Sequence, residues 1–259
     1  MTIKTRPLVR SFDGYQAERG HSGPADKAGA TGPAELEMPF ENRIDAGKKL
    51  GRALQEYRDE DPIVVALPRG GVPVAAEVAR ALDAHLDVLI VRKIGVPWHP
   101  ELAMGAVVDG TPPATLRNDE VIAMAKVKEA DFVAVRDREL AEIARRHQRY
   151  LAHMGPAASM KGRTIILVDD GAATGATIRV ALRALRLREP ARIVVALPVA
   201  SPSAIAALRP EADTVTCLET HDDFDAIGHY YRNFGQIEDE EVLQILARHP
   251  PPPATPARA

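Results

Sequence analysis

The amino-acid sequence predicts an α/β fold in which helices flank a doubly wound, mainly parallel sheet. Apolar runs of strand length alternate with segments of helical periodicity along most of the chain. These runs contain few polar residues, so we expect strands that are buried on both faces between layers of helices. A hydrophobic share of 46% can supply such a core, and an aromatic share of 4% favours small aliphatic packing over that of an all-β sandwich.

The predicted elements follow one another in an order typical of this class. The first half of the chain gives helix 43–58, strand 63–67, helix 72–82, strand 87–91, a Gly/Pro-rich connection 94–117, a helix capped by Asn118 and helix 128–151. The second half gives strand 164–168, helix 175–187, strand 192–197, a short helix and strand 213–218. Ser201 and Pro202 begin that short helix, since serine is favoured as an N-cap and proline at the first helical position.

The two ends of the chain lack the pattern of a folded domain. Residues 1–38 contain Gly, Ser, Pro and scattered charges without a sustained apolar period, which predicts a disordered extension. Residues 249–259 include four consecutive prolines, which cannot continue a helix, and are predicted to form a disordered tail. The folded domain is therefore expected over residues 39–248.

Composition argues against several classes of protein. The net charge of −3 shows no basic excess, so we expect no nucleic-acid partner, and basic pairs such as Arg145-Arg146 favour a solvated helix face. The single cysteine, Cys217, rules out an intramolecular disulfide and a cysteine-based metal cluster, and its apolar surroundings favour a buried strand thiol. No segment has the roughly 18 apolar residues of a membrane span, and no secretory signal pattern begins the chain. We therefore expect a cytoplasmic protein without a membrane partner.

The segment 167–177 follows a predicted buried strand and begins a helix, the position at which parallel sheets bind ligands. A helix start offers unpaired N–H groups and a favourable dipole to an anion. Asp169 and Asp170 would accept hydrogen bonds from ribose hydroxyls. The segment lacks the lysine of a Walker A loop and is not G-x-G-x-x-G, so we expect a ribose 5-phosphate site. Its phosphate would be held by Ala172, Ala173, Thr174, Gly175, Ala176 and Thr177.

The order of residues in this segment resembles the phosphoribosyl pyrophosphate (PRPP) signature of type I phosphoribosyltransferases: four apolar residues, two acids, small residues and then Thr-Gly-x-Thr. The resemblance covers about residues 40–248 and is strongest over 63–110 and 164–178, where Pro-Arg-Gly-Gly-Val-Pro and Arg-Lys-Ile-Gly-Val-Pro-Trp-His-Pro-Glu are similar to a bacterial branch of the family. It implies a type I phosphoribosyltransferase-like fold with a small C-terminal hood at about 219–248. Ala173 stands where members acting on 6-oxopurines carry an acidic residue, which disfavours hypoxanthine or guanine as acceptor.

The resemblance also assigns roles to the ends of the first two strands. In the family the loop after the first strand binds pyrophosphate, which implies that role for Arg69, Gly70 and Gly71. Without the 167–177 segment, Pro-Arg-Gly-Gly would indicate only a turn. A lysine after the next strand reaches the pyrophosphate in the family, and Lys93, preceded by Arg92, matches it. The alternative is a basic residue that merely ends a strand.

The first part of the Gly/Pro-rich connection, 94–105, lies where the family has a flexible catalytic loop that closes over PRPP and excludes water. Long loops in compact domains are usually functional. His99 and Glu101 are candidate contacts to the substrate, and the alternative is that both are simply exposed. Trp98 is either a lid residue or an ordinary packing residue.

The expected hood concentrates aromatic residues in a chain that has few. Phe224, Tyr230, Tyr231 and Phe234 are candidates for stacking on the acceptor, and the alternative is that they pack the hood itself. The acidic and histidine residues of 221–229 also suggest a metal site, but no second anchoring motif accompanies them.

The resemblance implies an enzyme that transfers the 5-phosphoribosyl group of PRPP to an unidentified nitrogenous acceptor, foremost a nucleobase, and releases pyrophosphate. Lys93, Asp169 and Asp170 would be its catalytic residues, and Mg²⁺ its cofactor, bound mainly through PRPP and not by a protein cage. A homodimer is also implied. Two alternatives stay open: a regulator that senses PRPP or nucleotides without catalysis, because fold does not fix function, and a hydrolase of a phosphorylated ribose compound.

Overall fold

The computed structural model describes residues 38–110, 112–154 and 158–249. The predictions made for 1–37 and 250–259 lie outside the described residues. The strands are β1 (Ile63–Ala66), β2 (His85–Val88), β3 (Val91–Val96), β4 (His99–Val108), β5 (Ala114–Arg117), β6 (Thr164–Val168), β7 (Arg192–Ala200) and β8 (Thr214–Thr220). The helices are α1 (Arg43–Ala53), α2 (Gly71–Leu82), α3 (Asp119–Met124), α4 (Glu129–Met154), α5 (Ala176–Arg186), α6 (Pro202–Leu208) and α7 (Asp239–Ala247).

Five of the strands form a parallel sheet in the order β2-β1-β6-β7-β8. Its central strands alternate their apolar side chains between two cores. In β1, Val64 and Ala66 lie in a cluster with α2, whereas Ile63 and Val65 lie in a second cluster with α5. Because both faces of the strand are buried under helices, every residue of the run is apolar. The predicted doubly wound α/β fold is confirmed.

The order of the strands reverses direction beside β1. From β1 the chain passes through α2 to β2 on one side, and it later returns to β6 on the other side. In an open α/β sheet, a ligand binds outside the carboxyl ends of the strands at such a switch point. The loops that follow β1 and β6 therefore open at the position where the fold itself favours a binding site.

The long connection predicted over 94–117 is wrong, because most of it is a three-stranded antiparallel sheet in the order β3-β4-β5. The predicted strand 87–91 is also wrong in its bounds, since β2 ends at Val88 and a new strand begins at Val91. Glycine explains the first error. A Cβ on Gly105 would lie 2.5 Å from the carbonyl oxygen of Leu116 on β5, so glycine here permits close approach of two strands and does not mark a loop.

Smaller differences concern the ends of helices. The predicted helix 43–58 is shorter than expected, because α1 ends at Ala53 and a separate 3₁₀ helix covers Gln55–Glu60. The two predicted N-caps are confirmed: the side chains of Asn118 and Ser201 each accept a hydrogen bond from the backbone N–H three residues further on. The sequence therefore predicted the N-cap residues correctly but overestimated the length of the first helix.

The expected hood begins at the end of the last strand. Cys217 lies on β8 and is half-buried. A short 3₁₀ helix (Ile227–Tyr230) follows, and α7 then packs against α2 and α4. Among the described residues, no helix combines the length and the apolar character needed to cross a membrane.

Candidate functional site

The loops after β1 and β6 pack directly against each other. The peptide bond between Pro68 and Arg69 is cis. Gly70 follows so close to Asp170 that a Cβ on it would lie 2.6 Å from the carboxyl carbon of that aspartate. A Cβ on Gly71 would lie 2.8 Å from the carbonyl oxygen of Val168. Both glycines are thus required by the close approach of the two loops, and the pyrophosphate-binding segment expected from the sequence borders the acid pair.

The loop after β6 is anchored to β7 and α6 from beneath. Ala172 donates its N–H to the carbonyl of Val199 at 3.0 Å, and its own carbonyl accepts from the N–H of Ser201 at 2.9 Å. The Ser201 hydroxyl also donates to the carbonyl of Ala173 at 2.6 Å. These bonds use the inner side of the loop, which leaves its outer side to solvent.

The outer side of this loop presents the beginning of α5. Gly175 is the N-cap and has a φ of 69°, a conformation that glycine adopts without strain. Four residues of the predicted phosphate-binding segment are exposed here: Ala173, Thr174, Ala176 and Thr177. The first N–H groups of a helix have no partner within it and attract anions. The geometry therefore provides an anion site of the expected kind.

The acid pair lies at the edge of this anion site. Asp170 is buried and Asp169 is half-buried, with its carboxylate accepting the N–H of Asp170 at 2.9 Å. Burial raises the pKa of Asp169 well above its ordinary value, and the neighbouring Asp170 carboxylate raises it further. Burial also raises the pKa of Asp170, although Arg43 opposes that shift. A ligand whose hydroxyls donate to these carboxylates would stabilise their ionised forms.

Arg43 is the residue of this site that sequence reasoning missed. It is the first residue of α1, and its Nε donates to Asp170 Oδ2 at 2.8 Å. The sequence contained no sign of this contact, since the two residues are 127 positions apart and a single arginine at a helix start forms no motif.

The structure places Lys93 and Glu101 together on neighbouring strands. Lys93 Nζ lies 3.0 Å from Glu101 Oε2, and both side chains are accessible to solvent. Arg92 instead pairs with Glu139 of α4 at 2.6 Å, on the other face of β3 because successive strand residues alternate. His99 is exposed at the start of β4. Among the described residues, no hydrogen bond or ion pair joins this hairpin to the two site loops.

Arg69 makes its ion pair with the C-terminal part of the chain. Its Nη1 lies 3.2 Å from Glu238 Oε2, the N-cap residue of α7. The arginine side chain is 30% exposed and the glutamate 63%. A weak surface pair of this kind is easily exchanged for another anion.

The aromatic residues of the expected hood divide into two groups. Tyr231 is buried and donates its hydroxyl to the backbone carbonyl of Asp170 at 2.6 Å, which explains it as a packing residue. Tyr230 is more open and stacks on Phe224, with ring centroids 5.0 Å apart, and on His221 at 4.5 Å. In the described part of the chain, no group of three or more His, Cys, Asp or Glu residues is arranged to hold a metal ion.

A parallel sheet with an exposed helix start and two adjacent carboxyl groups at its switch point defines an open α/β protein with an anion site at the carboxyl ends of its strands. Comparison with known proteins makes this class specific. The family model of the phosphoribosyl transferase domain matches residues 41–233. The chain belongs to the phosphoribosyltransferase family, and the resemblance found in its sequence is confirmed.

Individual relatives agree with this membership. Two proteins from different strains of Mycobacterium tuberculosis, each named "Putative phosphoribosyl transferase", are 41% identical to this chain over 209 residues. The match covers 81% of this chain but 46% of each relative, so the chain spans about half of their length. The crystal structure of TT1426 from Thermus thermophilus has 41% identity and a TM-score of 0.72, over 82% of this chain and 100% of that one.

Proposed function

We propose that this protein transfers the 5-phosphoribosyl group of PRPP to a nitrogenous acceptor, foremost a nucleobase, and releases pyrophosphate. The observation that carries the proposal is the contact between the loops after β1 and β6, made through Gly70 and Asp170 at the switch point. One loop offers an anion site and an acid pair, and the other offers the guanidinium of Arg69. A molecule that carries a phosphate, a ribose diol and a pyrophosphate matches this arrangement.

In this proposal the 5-phosphate binds residues 173–177 at the start of α5. Ala172, which the sequence also suggested, is buried and donates its N–H to the carbonyl of Val199, so it does not contact the phosphate. The phosphate accepts from the unpaired N–H groups of the first turn and from the exposed hydroxyls of Thr174 and Thr177. The helix dipole favours its negative charge. Since hydrogen bonds to β7 and α6 hold the inner side of the loop, little ordering is needed when the phosphate binds.

The ribose lies over Asp169 and Asp170. Its two hydroxyls donate to the carboxylates, and this favours the ionised forms that burial disfavours. Two buried carboxylates would repel a second phosphate at this place. The acid pair thereby sets the orientation of PRPP between the phosphate loop and the pyrophosphate side.

The pyrophosphate lies on the side of the loop after β1. Gly70 and Gly71 let the backbone come close, but the Gly71 N–H donates to the carbonyl of Leu67 at 3.0 Å and is not free for the pyrophosphate. Arg69 exchanges Glu238 for a pyrophosphate oxygen, and Lys93 approaches when the β3–β4 hairpin closes. These groups stabilise the negative charge that develops as the bond between pyrophosphate and C1 of the ribose breaks. The acceptor nitrogen then forms the new bond to C1 from the opposite face.

Magnesium, as the cofactor the family uses, would neutralise part of the pyrophosphate charge while held by oxygens of PRPP. Closure of the hairpin would keep water from replacing the acceptor. The open aromatic pair of Phe224 and Tyr230 is the proposed surface for the acceptor. The homodimer and the cytoplasmic location are also proposals, which rest on the family resemblance and on composition.

The test is pyrophosphate release from PRPP and Mg²⁺ across a panel of purines, pyrimidines and small amines. Lys93→Ala should lose turnover, because the developing charge loses a cation, while its folding stays unchanged since the side chain is exposed. Lys48→Ala, which removes an exposed lysine from α1, is the matched control and should keep full activity.

Each outcome separates the candidate functions. Release with one acceptor, lost in Lys93→Ala alone, would support the transferase and name its substrate. Release that needs no acceptor would indicate a hydrolase. Tight PRPP binding without any release would replace the transferase with a sensor, and absence of both binding and release would overturn the proposal.

A further inference from the structure

The start of α1 carries a charge that its own helix does not favour. Arg43 is the first residue of the helix, where the macrodipole disfavours a cation, and it is only 8% exposed. Burying a guanidinium is costly unless it is paired and hydrogen-bonded. Neither the helix dipole nor solvation stabilises an arginine at this position. Its stabilisation must therefore come from contacts with other parts of the fold.

Those contacts join the candidate site to the C-terminal part of the chain. Nε donates to Asp170 Oδ2 at 2.8 Å, and Nη1 donates to the carbonyl of Gly235 at 2.8 Å. The guanidinium also lies over the ring of Phe234, 3.7 Å from its centroid. One side chain thus connects the start of α1, the acid pair and the segment that follows Tyr231.

The same aspartate is held from a second side. The buried hydroxyl of Tyr231 donates to the backbone carbonyl of Asp170 at 2.6 Å. Arg43 therefore fixes the carboxylate, while Tyr231 fixes the backbone that bears it. With Oδ2 occupied by Arg43, the other carboxylate oxygen is the one left for a ribose hydroxyl.

We propose that Arg43 is a positioning residue for phosphoribosyl transfer, whose guanidinium holds the Asp170 carboxylate turned toward the ribose. The inference rests on the proposed function, since it assigns a task to Asp170 in that reaction. Arg43 acts only through Asp170, and it also couples the acid pair to the expected hood through Phe234 and Gly235. Loss of the guanidinium would free the carboxylate to rotate and to bind a proton.

The charged groups around Asp170 give the sign of the expected pH effect. Asp169 lies beside it in the same loop, Arg43 faces it from α1, and Tyr231 faces it as a neutral hydroxyl whose pKa is raised by burial. Arg43 is the group that lowers the pKa of Asp170. Without it that pKa rises, so the acid limb of the rate profile should move to higher pH.

The experiment compares Arg43→Gln and Arg43→Lys with wild type, measuring kcat and KM for PRPP from pH 5 to 9. Arg43→Gln should lose roughly a hundredfold in kcat through misplacement of the carboxylate, with its acid limb at higher pH. Arg43→Lys keeps the charge, so its acid limb should stay near that of wild type while kcat falls, because an ammonium lacks the planar fork that serves both Asp170 and Gly235. Arg52→Gln removes an exposed arginine from the same helix and is the matched control.

The outcomes distinguish this inference from the proposed function. An active wild type whose Arg43→Gln variant keeps kcat and the same acid limb would overturn the positioning role alone. If Arg43→Gln does not fold, Arg43→Lys decides. An Arg43→Lys variant that keeps the kcat of wild type, or whose acid limb moves to higher pH, contradicts the inference. A wild type that neither binds PRPP nor releases pyrophosphate would overturn both the proposed function and the positioning role. If PRPP binds without turnover, calorimetric PRPP affinity across the same pH range is compared between wild type and the Arg43 variants.

Discussion

Gly70 is the residue at which the two site loops come closest. A Cβ there would lie 2.6 Å from the carboxyl carbon of Asp170, yet the backbone of Gly70, at φ −60° and ψ −36°, suits any residue. Gly70→Ala therefore introduces a steric contact without backbone strain. We expect a stability loss of about 1–3 kcal/mol from overpacking, and roughly a hundredfold loss of turnover from displacement of the acid pair.

Thermal unfolding and pyrophosphate release would measure both effects of Gly70→Ala. Lys48→Ala, which removes an exposed side chain from α1, is the control. Equal activities in the two variants would show that the approach of the loops does not matter to the site.

Glu238 forms an ion pair with Arg69, at 3.2 Å between Oε2 and Nη1. Because the pair is largely exposed, Glu238→Gln should change the free energy of unfolding by less than about 1 kcal/mol. It should lower the KM for PRPP severalfold, since Arg69 no longer has to leave an anion before it binds pyrophosphate. Steady-state kinetics checks this, with Glu240→Gln, a glutamate of the same helix that pairs with Arg149, as the control. An unchanged KM in Glu238→Gln would mean that Arg69 does not bind the pyrophosphate.

At the scale of single residues, the sequence predicted the parts of the site that lie within one segment. The acids, glycines and threonines of 169–177 form a motif whose chemistry follows from their spacing. Arg43 was not predictable, because its role depends on Asp170, 127 positions away, and on an aromatic ring even further along the chain. The pairing of Arg69 with Glu238 was missed for the same reason.

At the scale of elements, continuity of apolar residues was the strongest signal. Strands β1, β6 and β7 were predicted because burial on both faces makes them apolar throughout. The sheet formed by β3, β4 and β5 was not, since it is exposed on part of one face and contains glycines that permit strand contacts. The Gly and Pro residues of this segment led to the prediction of a loop, whereas in the structure they lie in an antiparallel hairpin.

The β3–β4 hairpin contains a tryptophan whose fluorescence would report a movement of the hairpin. Trp98, the single tryptophan of the sequence, lies at its turn and is 60% exposed. If the hairpin closes over PRPP, the indole leaves water, so its fluorescence emission should shift to shorter wavelength when PRPP and Mg²⁺ are added. Lys93→Ala should weaken that shift, because we propose that the Lys93 ammonium binds the pyrophosphate when the hairpin closes. PRPP binding seen by calorimetry with an unchanged spectrum would show that the hairpin does not act as a lid.

At the scale of the whole molecule, the pH dependence of stability should reflect buried carboxyl groups outside the site as well. Asp87 on β2 is 5% exposed, and burial raises its pKa, although His85 and Arg188 partly oppose the effect. A carboxyl whose folded pKa is raised contributes its full stabilisation below its ordinary value of 3.8, and loses it as the pH rises through the folded value. Above that pKa, the folded protein must hold a buried negative charge.

Asp87→Asn removes this cost and keeps an oxygen to accept the N–H of Val88. The variant should therefore match wild type in thermal midpoint near pH 4 and exceed it increasingly toward pH 8, by about 2–4 °C for each kcal/mol gained. Asp83→Asn, at an exposed left-handed position that asparagine tolerates, should show no such trend. Since Asp87 lies outside both site loops and its carboxylate accepts the N–H of its own neighbour Val88, pyrophosphate release should be unchanged. A midpoint difference that is the same at every pH would show that Asp87 has the same pKa in the folded and unfolded protein, and would contradict the expected effect of burial.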